Sequence, residues 1–233
     1  MLLCFIPSQL AWSAVAYVQS AQTSTDGNAT DGTLIITLAS AVGNGGMICG
    51  AATYQSAVAT VSSVTDNQSN VYTIVRQVSN TPDGVGLATF YALNITNAPT
   101  IITVTYSISS LFRSGVIIEA SGVKVSAALD QEITQRQQTP GTGTDAVTSG
   151  AVTTTEDGEF ICGFSIVSNT YAALTFTAGT DYTERQETNP SSGIDIAGET
   201  RVQTSAGSIA ATWTQSVNNS TSTAIMTFKQ VAA

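Results

Sequence analysis

The feature that most constrains the fold is a succession of short apolar segments, separated by turn residues, with no helical period. About 14 segments rich in Val, Ile, Thr and aromatic residues follow one another at the spacing typical of sandwiches and barrels, about 8–12 residues. Residues 33–38, 47–53, 100–106 and 160–167 are examples. No window carries apolar side chains at the three- and four-residue intervals of an amphipathic helix. The pattern therefore predicts an all-β protein, a two-sheet, jelly-roll-like antiparallel β-sandwich.

The domain organisation predicted from the sequence is simple. Residues 14–233 are predicted to form a single sandwich domain, preceded by an apolar arm at 1–13. Residues 134–145, with Pro140 and several glycines, are the best internal break and predict a long loop between the halves of the sandwich. Residues 47–50 and 160–163 both end in Ile-Cys-Gly. This similarity indicates internal symmetry, as two Greek keys would give, or it is a coincidence over few residues.

The N-terminal arm is apolar and uncharged. Its large apolar side chains are Leu2, Leu3, Phe5, Ile6, Leu10 and Trp12. Pro7 disfavours a helix, so we expect an extended segment that packs on this sandwich or on a neighbouring subunit and anchors assembly. The alternative is a cleaved signal peptide, but the segment lacks a positively charged start, and Pro7 and Gln9 interrupt its apolar run.

Composition limits the chemistry that the chain can perform. It has no histidine, which excludes a Ser-His-Asp triad, a Cys-His dyad and the usual zinc sites. Charged residues make up 10% and the net charge is −9, which argues against binding the phosphate backbone of nucleic acids. The apolar N-terminal run is too short to span a bilayer. We therefore expect no enzymatic activity, no cofactor, and no nucleic-acid or membrane partner.

The three cysteines do not make an even set. Cys49 and Cys162 lie in matching apolar contexts, so the simplest interpretation is two buried small residues in core strands. A disulfide between them would need neighbouring strands with suitable geometry, and the sequence leaves this open.

Two polar loops could hold a cation. The weak calcium candidates are Asp26, Asn28 and Asp31, which offer oxygen ligands with Thr30 but lack the spacing of an EF-hand. A Gly/Asx turn is the favoured interpretation, and the same holds for residues 66–70.

Acidic and aromatic side chains suggest two further possibilities. Two carboxylates flanking a sugar could hydrolyse a glycosidic bond. The available acids are Glu119, Asp130, Glu132, Glu184, Glu187 and Glu199. A sugar-stacking platform could use Trp12, Trp213, Tyr54, Tyr72, Tyr171 and Tyr182. Such acids in β proteins usually face solvent and such aromatics usually fill the core, so neither site is predicted.

Several motifs occur in a familiar order. They are residues 16–20 (AYVQS), 64–73 (VTDNQSNVYT), 90–92 (FYA), 101–106 (IITVTY), 119–122 (EASG) and 129–130 (LD). The chain thereby resembles a β-sandwich domain found in phage structural proteins and bacterial surface proteins, over most of its length from about Tyr17. It departs from that pattern at residues 68–70, where Gly-Asn is usual, and at Ala120, where tyrosine is usual. The motifs are turn and core residues, so the resemblance implies a fold and transfers no catalytic residue.

The resemblance and the composition lead to one functional expectation. We expect a structural protein of a phage virion, most simply a capsid decoration (cement) protein, with a tail component as the close variant. Its partners would be the major capsid protein or other virion proteins and further copies of itself, such as a trimer. The competing hypothesis is a secreted bacterial surface protein: an adhesin, a sugar-binding module or a strand-exchanging filament subunit.

Overall fold

The computed structural model describes residues 14–25, 31–55, 58–80, 84–109, 112–137, 144–169, 174–188, 193–216 and 219–232. These residues form eighteen β-strands, and every pairing between strands is antiparallel. No described segment is helical, and none is a helix that could span a membrane. The predicted all-β, antiparallel sandwich class is confirmed.

The strands fall into two series along the chain. The first series is β1 (Ala16–Thr25), β2 (Thr33–Thr37), β3 (Met47–Gln55), β4 (Val61–Asp66), β5 (Thr73–Asn80), β6 (Val85–Ala92), β7 (Ile101–Tyr106) and β8 (Arg113–Ser121). The second is β9 (Leu129–Gln137), β10 (Asp145–Thr148), β11 (Val152–Thr153), β12 (Glu159–Asn169), β13 (Phe176–Ala178), β14 (Thr183–Glu187), β15 (Gly193–Gln203), β16 (Ser208–Ile209), β17 (Thr212–Gln215) and β18 (Thr221–Phe228).

Each series folds into its own sandwich with the same strand order. In the first sandwich, a large sheet β1-β8-β3-β6-β5 faces a small sheet β2-β7-β4. In the second, a large sheet β9-β18-β12-β15-β14 faces two short sheets, β10-β17-β13 and β11-β16. This order is jelly-roll-like, since strands distant in sequence alternate within each sheet. The prediction of one domain over 14–233 stays a prediction; the strands divide between two sandwiches.

The core lies in three apolar layers between four sheet layers. One layer joins the small and large sheets of the first sandwich and includes Leu34, Phe90 and Ile117. A central layer joins the two large sheets face to face. Two smaller clusters, one around Trp213 and one around Ile225, fill the second sandwich beneath its outer sheets. The large sheets are therefore apolar on both faces. Because both of their faces are covered, β3 and β8 are buried along nearly their whole length.

The two sandwiches correspond residue by residue in their central strands. Gly50 pairs with Phe90 and Ile117 in the first, and Gly163 pairs with Glu199 and Ile225 in the second. β-Bulges occur at the same places in the first strands and in the edge strands β5 and β14. The internal symmetry indicated by the two Ile-Cys-Gly segments is thus confirmed.

The two large sheets meet in an approximately twofold arrangement. β1 contacts β14, β8 contacts β15, β3 contacts β12, and β5 contacts β9. The order of one sheet is therefore reversed over the other, as rotation about an axis between β3 and β12 requires. Cys49 and Cys162 occupy equivalent positions at this axis, both fully buried, and their sulfurs are bonded across 113 residues of chain. Both cysteines are buried in core strands as predicted, and the structure adds that they are paired.

The predicted internal break was wrong. Residues up to Gln137 belong to β9 and β10 begins at Asp145, so the predicted break falls between the first two strands of the second sandwich in sequence. The junction between the sandwiches is the short segment 122–128. Hydrogen bonds from Lys124 N to Lys229 O and from Lys229 N to Ala128 O fasten this segment to the end of the chain.

Candidate functional site

The predicted sites on the arm lie outside the described residues. This applies to Leu2, Leu3, Phe5, Ile6, Leu10 and Trp12. The prediction that the arm anchors assembly therefore stays a prediction.

Of the calcium candidates, Asp26 and Asn28 also lie outside the described residues, whereas Asp31 is described. Asp31 Oδ1 accepts a hydrogen bond of 2.7 Å from the guanidinium of Arg113, whose side chain is 1% exposed. This bond holds the pKa of Asp31 below its ordinary value. Asp31 thus neutralises a buried cation. No group of three or more acidic or sulfur ligands suited to a metal occurs among the described residues.

The turn at residues 66–70 is an Asx turn, as the favoured interpretation predicted. Asp66 Oδ1 accepts from the backbone N–H of Gln68 and Asn70, at 2.8 and 3.1 Å. Ser69, within this turn, has a positive φ of 64°. The hydroxyl of Tyr72 donates to Asp66 Oδ2, so the turn is tied to the following strand.

The candidate aromatic residues do not form a shared platform where they are described. Tyr54 and Trp213 are buried, at 1% and 2% exposure. Tyr72 and Tyr182 pack against the cores of different sandwiches. Trp12 and Tyr171 lie outside the described residues. Tyr54 and Trp213 therefore fill the interior and Tyr72 and Tyr182 pack against it, as aromatic residues of β proteins usually do.

Glu132 and Asp130 are engaged with cations. Glu132 forms a two-point ion pair with Arg76 of β5, and this pair joins the two sandwiches at the edge of their interface. Asp130 lies 3.0 Å from the ammonium of Lys229. Burial alone would raise the pKa of Asp130, but hydrogen bonds from Thr155 and Lys229 outweigh it and lower the pKa to about 2.

Three other candidate acids, Glu184, Glu187 and Glu199, come together beside the edge strand β14. Glu184 of β14 pairs with Glu199 of β15, and Glu187 lies further along β14, after the β-bulge. Glu199 is fully buried, and its oxygens accept from the backbone N–H of Gly179 and Thr212. Because β13 precedes Gly179 and β17 begins at Thr212, this carboxyl connects the large sheet to the outer sheet.

The environment of these three acids favours the protonated form. Burial raises the pKa of Glu199 to about 8, against the effect of its two backbone hydrogen bonds, and Glu184 adds to the rise. Burial and the neighbouring Glu184 raise the pKa of Glu187 to about 7. Burial also raises the pKa of Glu184. The cluster can therefore exchange protons near neutral pH.

The sixth acid, Glu119, lines a pocket at one end of the first sandwich. The pocket has a volume of about 440 Å³ and is bounded by β1, the loop at 40–46 and the end of β8. Glu119 is 3% exposed; its Oε1 accepts from Gly43 N at 3.0 Å and its Oε2 from Gln19 Nε2 at 2.6 Å. Gln19 is itself held by two hydrogen bonds to the backbone of Ser40. The carboxylate is thus fixed by neutral donors. Sequence reasoning named Glu119 but missed Gln19 and the pocket.

The outer sheets present two faces with almost no charge. The outward positions of β2, β4 and β7 are Thr33, Ile35, Thr37, Ser62, Ser63, Thr65, Ile101, Thr103 and Thr105. Those of β10, β13 and β17 are Ala146, Thr148, Thr177, Thr212 and Thr214. The two faces lie at opposite ends of the four-layer body, because the large sheets occupy its centre.

No family model matches this sequence, and no curated protein is similar to it.

Proposed function

We propose that the protein is a structural component of a phage virion, a capsid decoration (cement) protein that stabilises the particle through protein–protein contacts. A tail component is the close variant of the same proposal. In this role the protein performs no catalysis. It binds the major capsid protein or other virion proteins, and it associates with further copies of itself, as in a trimer.

The observation that carries the proposal is the pair of outer faces at opposite ends of one body. Each is built from Thr, Ser, Ala and Ile side chains, so docking on it removes few charges from water. Two faces that point apart allow one subunit to contact two neighbours. This arrangement supports a role in bridging neighbouring subunits of a shell.

The body between the two faces is suited to carrying load. Its two large sheets share an apolar core, a disulfide at the centre and the Arg76–Glu132 ion pair at the edge. Interiors of this kind are close-packed and deform little. Movement at one outer face is therefore transmitted to the other, which supports a mechanical role.

The experiment that tests the proposal is a search of purified particles by mass spectrometry, followed by assembly in vitro. We expect the protein in stoichiometric amount in the virion, and we expect particles that lack it to rupture at lower temperature. Adding back the wild-type protein should restore stability, whereas a variant with charges on one outer face, Thr103→Glu with Thr105→Glu, should not. Absence of the protein from purified virions would end the proposal.

The disulfide is also the observation that supports a second candidate, a secreted bacterial surface protein. Disulfides form and persist in oxidising environments such as the cell surface, and Cys49–Cys162 connects the two sandwiches. The N-terminal sequence of the native protein distinguishes the candidates. Retained Met1 favours the virion component, and a mature start near Ala14 favours export.

A further inference from the structure

The two sandwiches have corresponding turns at one polar corner, but the charged side chains at that corner differ. The residues leading into β3 are Gly43-Asn44-Gly45-Gly46, and the equivalent residues are Glu156-Asp157-Gly158-Glu159, of which Glu159 begins β12. The third residue of each, Gly45 and Gly158, has the same φ of 77°. The β-bulge in the first strand of each sandwich skips one residue in the pairing register: Val18 in β1 and Asp130 in β9.

In the second sandwich this site contains carboxylates and an ammonium group of the same chain. The ammonium of Lys229 lies 3.0 Å from Asp130 Oδ1 and 3.7 Å from Glu156 Oε1. Lys124 makes a second ion pair with Glu156, at 2.8 Å. Asp130 and Glu156 are thus compensated by lysines, while the buried Glu159 accepts from the backbone N–H of Thr155 and Glu156.

In the first sandwich a corresponding carboxylate is present and the ammonium is missing: Glu119 Oε1 accepts from Gly43 N, as Glu159 Oε1 accepts from the equivalent N–H of Glu156. Phe228 pairs with Leu129 of β9, and Ala120 pairs with the equivalent residue of β1, Tyr17. The residues that follow them, Lys229 and Ser121, are therefore equivalent. Ser121 lines the 440 Å³ pocket, together with Glu119 and Val18. No lysine or arginine among the described residues forms an ion pair with Glu119.

The two sandwiches supply this carboxylate from different strands, Glu119 from β8 and Glu159 from β12. The residue of β18 at the position of Glu119 is Thr227, whose Oγ1 accepts from the backbone N–H of Gln131. A buried carboxylate costs more free energy than a threonine unless it is paired. Glu119 receives two hydrogen bonds from neutral donors, while a carboxylate has about four acceptor sites. The remaining acceptor sites can receive donors that enter the pocket.

We propose that the pocket beside Glu119 binds a primary ammonium group, the side chain of a lysine presented by a partner protein. The ammonium takes the place that Lys229 Nζ has in the second sandwich, and the aliphatic stem lies along Val18 and Ala41 at the rim. Glu119 supplies the charge, and Gln19 and Gly43 fix its position. This inference goes beyond the proposed function and does not depend on it, because a lysine of any partner protein satisfies the same geometry.

The test is an NMR titration of the wild-type protein with n-butylammonium, a probe that reproduces a lysine side chain. We expect saturable shifts of the amide signals of Gly43, Gly45 and Gly46. Its neutral isostere n-butanol should not produce them. Glu119→Gln should weaken binding on the order of tenfold or more, because a charge-assisted hydrogen bond is lost. Glu132→Gln, which removes an acid beside β5 at the opposite edge of the first large sheet, should bind as wild type.

A second variant keeps the test decisive if Glu119→Gln does not fold. Ser121→Lys restores the residue type found at the equivalent position, so its own ammonium should fill the pocket, abolish binding of n-butylammonium and raise the melting temperature. Ser126→Lys adds the same charge on an exposed loop outside the pocket and should do neither. The proposal is overturned if n-butanol gives the same shifts, if no saturable shift occurs, or if Ser121→Lys binds the probe as the wild type does.

Discussion

Glu199 occupies in the second sandwich the position that Phe90 occupies in the first. Each lies over a glycine of the central strand: a Cβ on Gly50 would be 2.7 Å from the ring of Phe90, and one on Gly163 would be 2.6 Å from Glu199 Oε1. Both glycines therefore make room for the side chain of the neighbouring strand. The consequence is that one sandwich buries an aromatic ring where the other buries a carboxylic acid.

The first prediction is that this buried acid makes the protein less stable as the pH rises towards 8. The ordinary pKa of Glu199 is 4.5 and the folded value is about 8. The stabilisation from holding this proton is complete below pH 4.5 and is lost as the pH rises through 8. Glu187, with a pKa of about 7, acts in the same direction. Asp31 and Asp130, whose pKa values are lowered, act in the opposite direction, but below pH 4.

Thermal unfolding followed across this pH range measures the effect. Glu199→Gln should reduce the slope of stability against pH by on the order of a few kcal/mol over the range, whatever its effect on absolute stability. Glu132→Gln, on the surface ion pair, should keep the slope. An unchanged slope in Glu199→Gln would contradict the assignment.

A second prediction concerns the bond at the centre of the molecule. Cys49→Ala with Cys162→Ala should lower the free energy of unfolding by roughly 4–5 kcal/mol, because the bond closes a loop of 113 residues in the unfolded chain. Urea denaturation, with and without reductant, measures the loss, and reduced wild type should approach the double variant. Cys4→Ala is the control. Equal stability of the oxidised wild type and the double variant would show that the bond does not contribute.

Gly86→Ala should be strongly destabilising. Its Cβ would lie 2.1 Å from the ring of Tyr54, which is 1% exposed and packs edge-on against Tyr106 at 5.8 Å. Overpacking of this kind costs about 1–3 kcal/mol or more. Gly32→Ala, whose new Cβ would meet its nearest atom at 3.6 Å, should change stability by less than about 0.5 kcal/mol. Chemical denaturation compares the two, and similar losses would refute the steric explanation.

Asp31→Asn should destabilise the fold measurably, because it removes the carboxylate that compensates the buried guanidinium of Arg113. The matched control is Asp181→Asn. Its partner Arg201 is 32% exposed, so the loss there should stay below about 1 kcal/mol. If the two variants lose the same stability, burial of Arg113 is not what gives the pair its strength.

The sequence predicted the class of fold because period and turn chemistry are local properties. The Asx turn at Asp66 and the two Ile-Cys-Gly strands were identifiable for that reason. The boundary between the sandwiches was not, because local signals there mislead. The segment around Pro140 has the strongest turn signals but falls in sequence between β9 and β10 of the second sandwich, whereas the junction at 122–128 has one glycine and no proline.

Sites that depend on pairing between distant strands could not be predicted. Glu184 and Glu199 become neighbours only through the register of β14 and β15, which a bulge shifts immediately afterwards. The contact between Cys49 and Cys162 depends on the packing of two sheets face to face. The pocket at Glu119 becomes interpretable only beside its counterpart at Lys229, and that comparison needs both strand registers.

The disulfide between equivalent residues has a consequence for how the two halves can differ. In a dimer of identical chains, a residue on the twofold axis meets its own copy, and any substitution changes both subunits at once. Here the same arrangement exists within one polypeptide, so each half can change alone. The first half has Phe90 and Ser121 at the positions where the second half has Glu199 and Lys229. A symmetric homodimer of identical chains could not encode these differences. One scaffold can therefore present two distinct chemistries at related positions.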